Sequence, residues 1–224
     1  MDSIVYIARQ LSNICPSDSP IEADIAVMRA VASEVDARFE FLASRVKVLV
    51  RTGTRADPWH VMKHPIYLYL LSRALFESGM EDESRIKDRL YCLNKALHGC
   101  SLFYKVRLPK VFFLNYATQI VMGDCVYGEN LVVYQGVTVG GYREKNPVLG
   151  DNIVLMPNSI ISGSTILGNN VVVSAGVVVI NRTVPDNTLV FGGGKEKGGL
   201  VFHPLESNPY IDYFVSAING QENV

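Results

Sequence analysis

From Leu149 to Val179 an aliphatic residue returns at every sixth position: Leu149, Leu155, Ile161, Leu167, Val173 and Val179. The position before each is aliphatic too (Val148, Val154, Ile160, Ile166, Val172, Val178). Four places after each stands a small or branched residue: Ile153, Ser159, Thr165, Val171, Val177 and Thr183. A helix brings a side chain back to one face about every 3.6 residues and a strand about every 2, so a strict six suits neither as a long element. The pattern predicts a parallel β-helix of hexapeptides, each forming one short flat side, with aliphatics stacked from coil to coil into a continuous core.

Followed backwards, the same phase passes through Val139, Val133 and Tyr127. Val139 to Leu149 spans ten residues, so four extra residues leave the coil. They fall within Gly140 to Pro147, a Gly-rich charged stretch with the composition of a protruding loop. Such a loop is either a plain insertion or a place for substrate contacts.

The N-terminal half follows a different period. Ile21, Ile25, Met28, Val31, Val35, Phe39, Leu42 and Val46 recur at three or four, predicting an amphipathic helix over 21–50. Asp57 and Pro58 read as N-cap and first residue of a second helix running toward Gly79, with a kink or restart at Pro65. A third is expected over 81–97, stopped by Gly99. The reading is an α+β chain: a helical domain over 1–100, a β-helix over 101–195 and a C-terminal tail over 196–224.

Composition adds exclusions. With 21 basic and 22 acidic residues in 224, no basic footprint advertises a nucleic-acid partner. Asp2, Arg9 and Asp18 interrupt the stretch where a signal peptide would be unbroken, and the apolar runs are short, so neither export nor a membrane span is expected and the placement is cytoplasmic. Cys15, Cys92, Cys100 and Cys125 form no Cys-x-x-Cys pair and are read as buried thiols.

Met122-Gly123-Asp124, Gly136-Val137-Thr138-Val139-Gly140-Gly141, Pro147-Val148-Leu149-Gly150-Asp151, Ser174-Ala175-Gly176 and Val184-Pro185-Asp186-Asn187-Thr188 follow one another in order behind the helical region. Together, over roughly residues 57 to 195, they resemble the serine acetyltransferase family of hexapeptide-repeat acyltransferases, including its branch associated with capsule and O-antigen sugars. The resemblance implies a left-handed β-helix that forms a homotrimer, with acetyl-CoA as co-substrate between neighbouring prisms and a small-molecule or sugar hydroxyl as acceptor. It places Gly141 against the pantetheine and Ala175-Gly176 on a later coil of the same wall, where small residues allow close backbone approach. Pro157 stands where the family usually has alanine and removes one N–H donor from that wall. Lys195 and Lys197 bracket the place of a basic residue that can face CoA phosphates, or are simply solvated in a Gly-rich tail.

On the acceptor side the chain departs from the family, which uses a histidine oriented by an aspartate to take the hydroxyl proton. The resemblance places Tyr116 at the histidine, Ser101 at the aspartate, Asn115 at the acidic residue before the histidine, and Asn146 at a histidine of the protruding loop. Asp57 alone matches a residue that the family uses to hold serine; as a helix N-cap it also has a sufficient local reason. Tyrosine titrates near about 10, so Tyr116 is read as a stacking or hydrogen-bonding group, or as an aromatic packed where an imidazole would be. His60 and His64, four apart, are read as helix-surface residues and not as metal ligands; His98, just before Ser101, is a candidate base; His203 belongs to the tail.

Two functions are compatible with this pattern. One is an acetyl-CoA-dependent O-acetyltransferase with an altered acceptor pocket, without metal; the other is a non-catalytic trimeric scaffold or regulator. In the family that the chain resembles, helical domains can join two trimers into a hexamer, and this chain has such a domain. The family's tail docks into a sulfhydrylase through a final isoleucine, where this chain has Val224, a smaller anchor.

Overall fold

The computed structural model describes residues 2–80, 84–141, 143, 145–194, 199–208 and 212–215. Its first part is helical: α1 (Ser3–Ile14), α2 (Ile21–Arg45), α3 (Lys47–Arg51), α4 (His64–Glu77) and α5 (Ile86–His98). The pattern reading does not anticipate α1, although its signals are there. The Asp2 carboxylate accepts from the N–H groups of Ile4 and Val5, and Ile4, Ile7, Ala8 and Leu11 form a buried stripe.

The helix expected over 21–50 breaks at Val46, which leaves helical geometry to bridge Phe214, while the Val215 N–H donates to Arg45 O at 2.8 Å. The second helix begins at His64, not Asp57. Residues 58–63 make turns; the Trp59 N–H donates to Asp57 Oδ1 at 3.0 Å, so Asp57 caps a turn instead of a helix. Lys63, 1% exposed, donates to the carbonyls of Thr52 and Gly53 and pins this segment to the end of α3. Pro65 thus falls in the first turn of α4, where a missing N–H costs nothing and no kink follows. α4 buries every residue from His64 to Ser72 and is the centre of the helical domain.

The described part of the third helix ends on Gly99 as expected; Glu81 to Glu83 lie outside the described residues. α5 is tied to α2 by a buried ion pair, Arg89 to Asp24 at 2.8 Å, and Arg89 Nε donates to Cys15 O at 2.7 Å beyond α1. Cys100 and Cys125 are buried, but Cys15 is only half-buried and Cys92 is exposed, which corrects the expectation of four buried thiols.

From Ser101 the chain winds into a parallel β-solenoid of about five turns. Its first face stacks Ser101–Leu102, Val121–Met122, Thr138–Gly140, Ile160–Ser162 and Val178–Ile180. The second stacks Val126–Tyr127, Val148–Leu149, Ile166–Leu167 and Thr183–Val184. The third stacks Phe112–Leu114, Leu131–Val133, Val154–Leu155, Val171–Val173 and Thr188–Gly194, the last of which pairs antiparallel with Gly199–Pro204.

The six-residue period is the core: Leu149, Leu155, Ile161, Leu167, Val173 and Val179 are all 2% exposed or less. The period stops there. Val184 follows after five residues and takes the inward place, so Thr183, four places after Val179, registers with Ile166 and is exposed.

A second repeat holds one corner. Gly128-Glu129-Asn130, Gly150-Asp151-Asn152, Gly168-Asn169-Asn170 and Pro185-Asp186-Asn187 stack, and each middle side chain from Asp151 onward accepts the backbone N–H of the coil before it, from Glu129 (2.8 Å), Asp151 (2.9 Å) and Asn169 (2.7 Å). The asparagines take the left-handed conformation that their short amides tolerate, and Asn130 and Asn170 donate to Asn152 and Asn187.

The outward residues of the three faces are treated differently. Val126, Val148, Ile166, Val178 and Ile180 on the first and second faces are 40 to 63% exposed, whereas Val132, Val154 and Val172 on the third are 2% or less. The tail covers the third face: Leu205 and Tyr213 pack on the core, and Tyr213 lies 5.6 Å from the Phe113 ring.

Candidate functional site along the prism edges

Coil register decides which predicted residues meet. The N–H groups of Asn115, Tyr134, Met156 and Ser174 donate to Val133, Leu155, Val173 and Val190, so these four residues stack. In the three later coils the next residue, Gln135, Pro157 and Ala175, forms a column at the edge between the third and first faces. In the first coil Thr118 holds this place, since its carbonyl accepts the Gly136 N–H at 3.0 Å just as Gln135 and Pro157 accept from Asn158 and Gly176, and Tyr116 lies two residues before it. Gly136, Asn158 and Gly176 turn that corner with positive φ. At about 4.8 Å per coil, Gln135 and Ala175 lie about 10 Å apart along the edge. Pro157 and Ala175 thus share one line, and Tyr116 stands at the first-coil end of the same edge, set off from that line by two extra residues.

That edge has room for a ligand. A Cβ added to Gly176 would meet nothing within 4 Å, and the Gly176 N–H is already held by Pro157 O at 2.9 Å. A thin extended chain can lie against this backbone. Gly141 and Asn146 sit at the opposite edge of the first face, where the protruding loop leaves. Here the glycine has an internal cause: a Cβ on Gly141 would meet Asn146 Oδ1 at 1.9 Å, because the loop folds back on its own base. Asn146 Nδ2 donates to Asp124 Oδ2 at 2.9 Å. Lys195, like Lys197, lies outside the described residues.

Tyr116 is a non-glycine residue held at φ +50, 69% exposed, and its hydroxyl has no hydrogen bond among the described residues. Within one chain the ring is therefore not packed. Ser101 does not reach it; its Oγ is 2.8 Å from Tyr91 Oη and its N–H donates to Ile120 O. Asn115 is 9% exposed and Nδ2 donates to Tyr213 Oη at 3.3 Å; Tyr213 and Tyr134 share a short hydroxyl contact of 2.5 Å. Burial, followed by the bond to Tyr213, pushes the Tyr134 hydroxyl up to about 12. Sequence reasoning missed this pair. Tyr134 could have been found as the residue stacked on Asn115, one place after hexad position Val133; Tyr213 carries no sequence signal, since its position depends on the path of the tail.

The histidines also depart from expectation. His60 precedes α4 and its Nδ1 accepts from the Met62 N–H, so it does not share a helical face with His64. His64 is 3% exposed, not a surface residue, and its Nδ1 lies 2.9 Å from His98 Nε2. The buried His64 Nε2 has no partner among the described residues, which favours the tautomer whose hydrogen is on Nδ1 and leaves only a lone pair orphaned. Burial first, then His98, holds His64 down to about 4, while the Asp57 charge pulls the other way; burial lowers His98 too. Among the described residues no group of three His, Cys, Asp or Glu side chains is placed to hold a metal ion.

The histidine pair has a stability consequence. Below about pH 6.5 the unfolded chain takes up a proton that folded His64 refuses, so stability declines as pH falls from 6.5 to about 4, by about 3 kcal/mol in total. Urea midpoints measured at pH 7.5 and pH 5 should show this fall, and His64→Gln should flatten it; an equally steep fall in the variant would assign the effect elsewhere.

No family model matches the chain. It is 29% identical over 134 residues to a serine acetyltransferase of Staphylococcus epidermidis, a match covering 58% of this chain and 61% of that protein's length. In fold it resembles the crystal structure of Neisseria gonorrhoeae serine acetyltransferase, with TM-score 0.68 and 22% identity over 95% of this chain and 84% of the other. It also resembles the Brucella abortus serine acetyltransferase solved with coenzyme A, with TM-score 0.65 and 21% identity over 90% and 80% of the two chains. Among the described residues no helix is long and apolar enough to cross a membrane. By sequence relatives and by architecture, helices followed by a left-handed hexapeptide-repeat β-helix, the chain is serine acetyltransferase-like.

Proposed function

We propose that the chain is an acetyl-CoA-dependent O-acetyltransferase with an altered acceptor pocket, acting on serine or a sugar hydroxyl as a homotrimer. The observation that carries this reading is the open edge at Ala175-Gly176, where a Cβ added to Gly176 would meet nothing within 4 Å, which suits a pantetheine arm. The relative bound to coenzyme A supports it. Tyr116 and Asn115 lie at one edge of the first face, Gly141 and Asn146 at the other, and a threefold assembly would bring one edge of each copy to the opposite edge of its neighbour. The exposed aliphatics on the first and second faces give such copies apolar surface to share.

In this mechanism the chain orients the reactants and supplies no His/Asp dyad. Tyr116, free and facing outward, donates a hydrogen bond to the acceptor or to the thioester oxygen, while Ser101 and Asn146 hold the acceptor side and water takes the hydroxyl proton. Positioning without a general base leaves a rate about 10²- to 10⁴-fold below that of a complete dyad. Lys195 would face the CoA phosphates, and Asp57 an amine or hydroxyl of the acceptor. Pairing of two trimers through the helices gives a hexamer.

The test mixes the full chain with acetyl-CoA and a panel of serine and sugar acceptors and follows free thiol. The expected result is slow, acceptor-dependent thiol release that Tyr116→Phe lowers about tenfold. No release above the uncatalysed rate with any acceptor would overturn the enzyme reading in favour of a non-catalytic trimeric scaffold.

A further inference from the structure

We infer that the cleft between α2, α4 and the segment 107–112 is a binding site for an amphipathic organic anion, an aromatic or acyl body carrying a carboxylate, sulfonate or phosphate. The cleft has a volume of about 520 Å³, and its lining includes neither Ala175 nor Gly176. Phe41 and Leu70 from the helices and Phe112 from the first rung of the third face line it, giving a body of aromatic size apolar walls on both sides.

Charge at the mouth decides the class of ligand. Arg38, Arg73, Arg107 and Lys110 border the cleft with one carboxylate, Glu77. That carboxylate is fully engaged, by Arg38 at 2.6 Å and Arg73 at 2.8 Å. The side chains of Arg107 and Lys110 are exposed and have no ion pair or hydrogen bond among the described residues; the Glu129 carboxylate beside them accepts the backbone N–H groups of Lys110 and Val111. Two uncommitted cations above an apolar floor would attract an anion and repel a cation of the same shape. A neutral body would gain the walls alone.

The probes are 1-anilinonaphthalene-8-sulfonate and N-phenyl-1-naphthylamine, which share an aromatic body and differ in the sulfonate. Fluorescence titration of the full chain should give one saturable sulfonate site per chain, at least tenfold tighter than for the uncharged dye. Arg107→Ala with Lys110→Ala should weaken the sulfonate at least tenfold without shifting the thermal midpoint. Ala37→Trp, which fills the cleft from α2 and leaves its charges in place, should weaken both dyes. Equal affinity for the two dyes, sulfonate affinity retained by either variant, or loss of the site on self-association as a second copy covers it would each overturn the inference.

Discussion

Replacing Arg89 by methionine should cost about 3–5 kcal/mol of folding stability, because it leaves the Asp24 carboxyl, whose side chain is 2% exposed, buried with its partner gone. The guanidinium also satisfies Cys15 O, so the junction of α1, α2 and α5 loses its shared donor in the same step. The loss would be read as a lower urea midpoint at neutral pH with little change in slope. The cause is separable: Asp24→Leu introduced together with Arg89→Met removes the stranded carboxyl and should recover most of the stability, since a buried pair exchanged for apolar groups is often neutral. A double variant as unstable as the single one would show that packing around the arginine stem, not the pair, holds this corner.

Gly128→Ala should be nearly as damaging, for a steric reason. The new Cβ would lie 2.3 Å from Gly150 O and 2.4 Å from its carbonyl carbon, and both belong to backbone. The two coils are fastened here by the Gly128 N–H to Leu149 O bond at 2.9 Å and by the Asp151 carboxylate on the Glu129 N–H, so neither can retreat without losing bonds. A cost of about 3 kcal/mol follows, lowering the thermal midpoint by several degrees. Gly140→Ala is the control, since its Cβ would meet nothing within 4 Å and its φ is not positive. It should be neutral or slightly stabilising. Equal midpoints for the two variants would mean that the coils are less tightly stacked than described.

How much of this was legible in the chain differs from element to element. The solenoid was, because six-residue spacing has one structural meaning, and Leu149 through Val179 all point inward. The Gly-acidic/amide-Asn corner was equally readable, although its intervals are less regular. Helix boundaries were harder: the start of α4 depends on Lys63 reaching the carbonyls of Thr52 and Gly53, and the break at Val46 on a bridge to Phe214, contacts that no local pattern announces. The same holds at the candidate site. Pro157 and Ala175 align once the coil register is known, while two extra residues in the first coil set Tyr116 off that line, Tyr213 comes to Asn115 from 98 residues away, and His64 to His98 from 34.

The reversal of direction at Gly199–Pro204 bears on what this molecule cannot become. A pile of parallel rungs ends in unsatisfied amides and carbonyls that another molecule could continue, rung upon rung, into a fibre. On the longest flank the returning strand pairs antiparallel with the last rung, so a further parallel coil cannot be laid there, and the returning strand itself becomes the edge. The opposite end is stoppered by the helices. Continuation of the parallel coil stops at the flank where that strand returns.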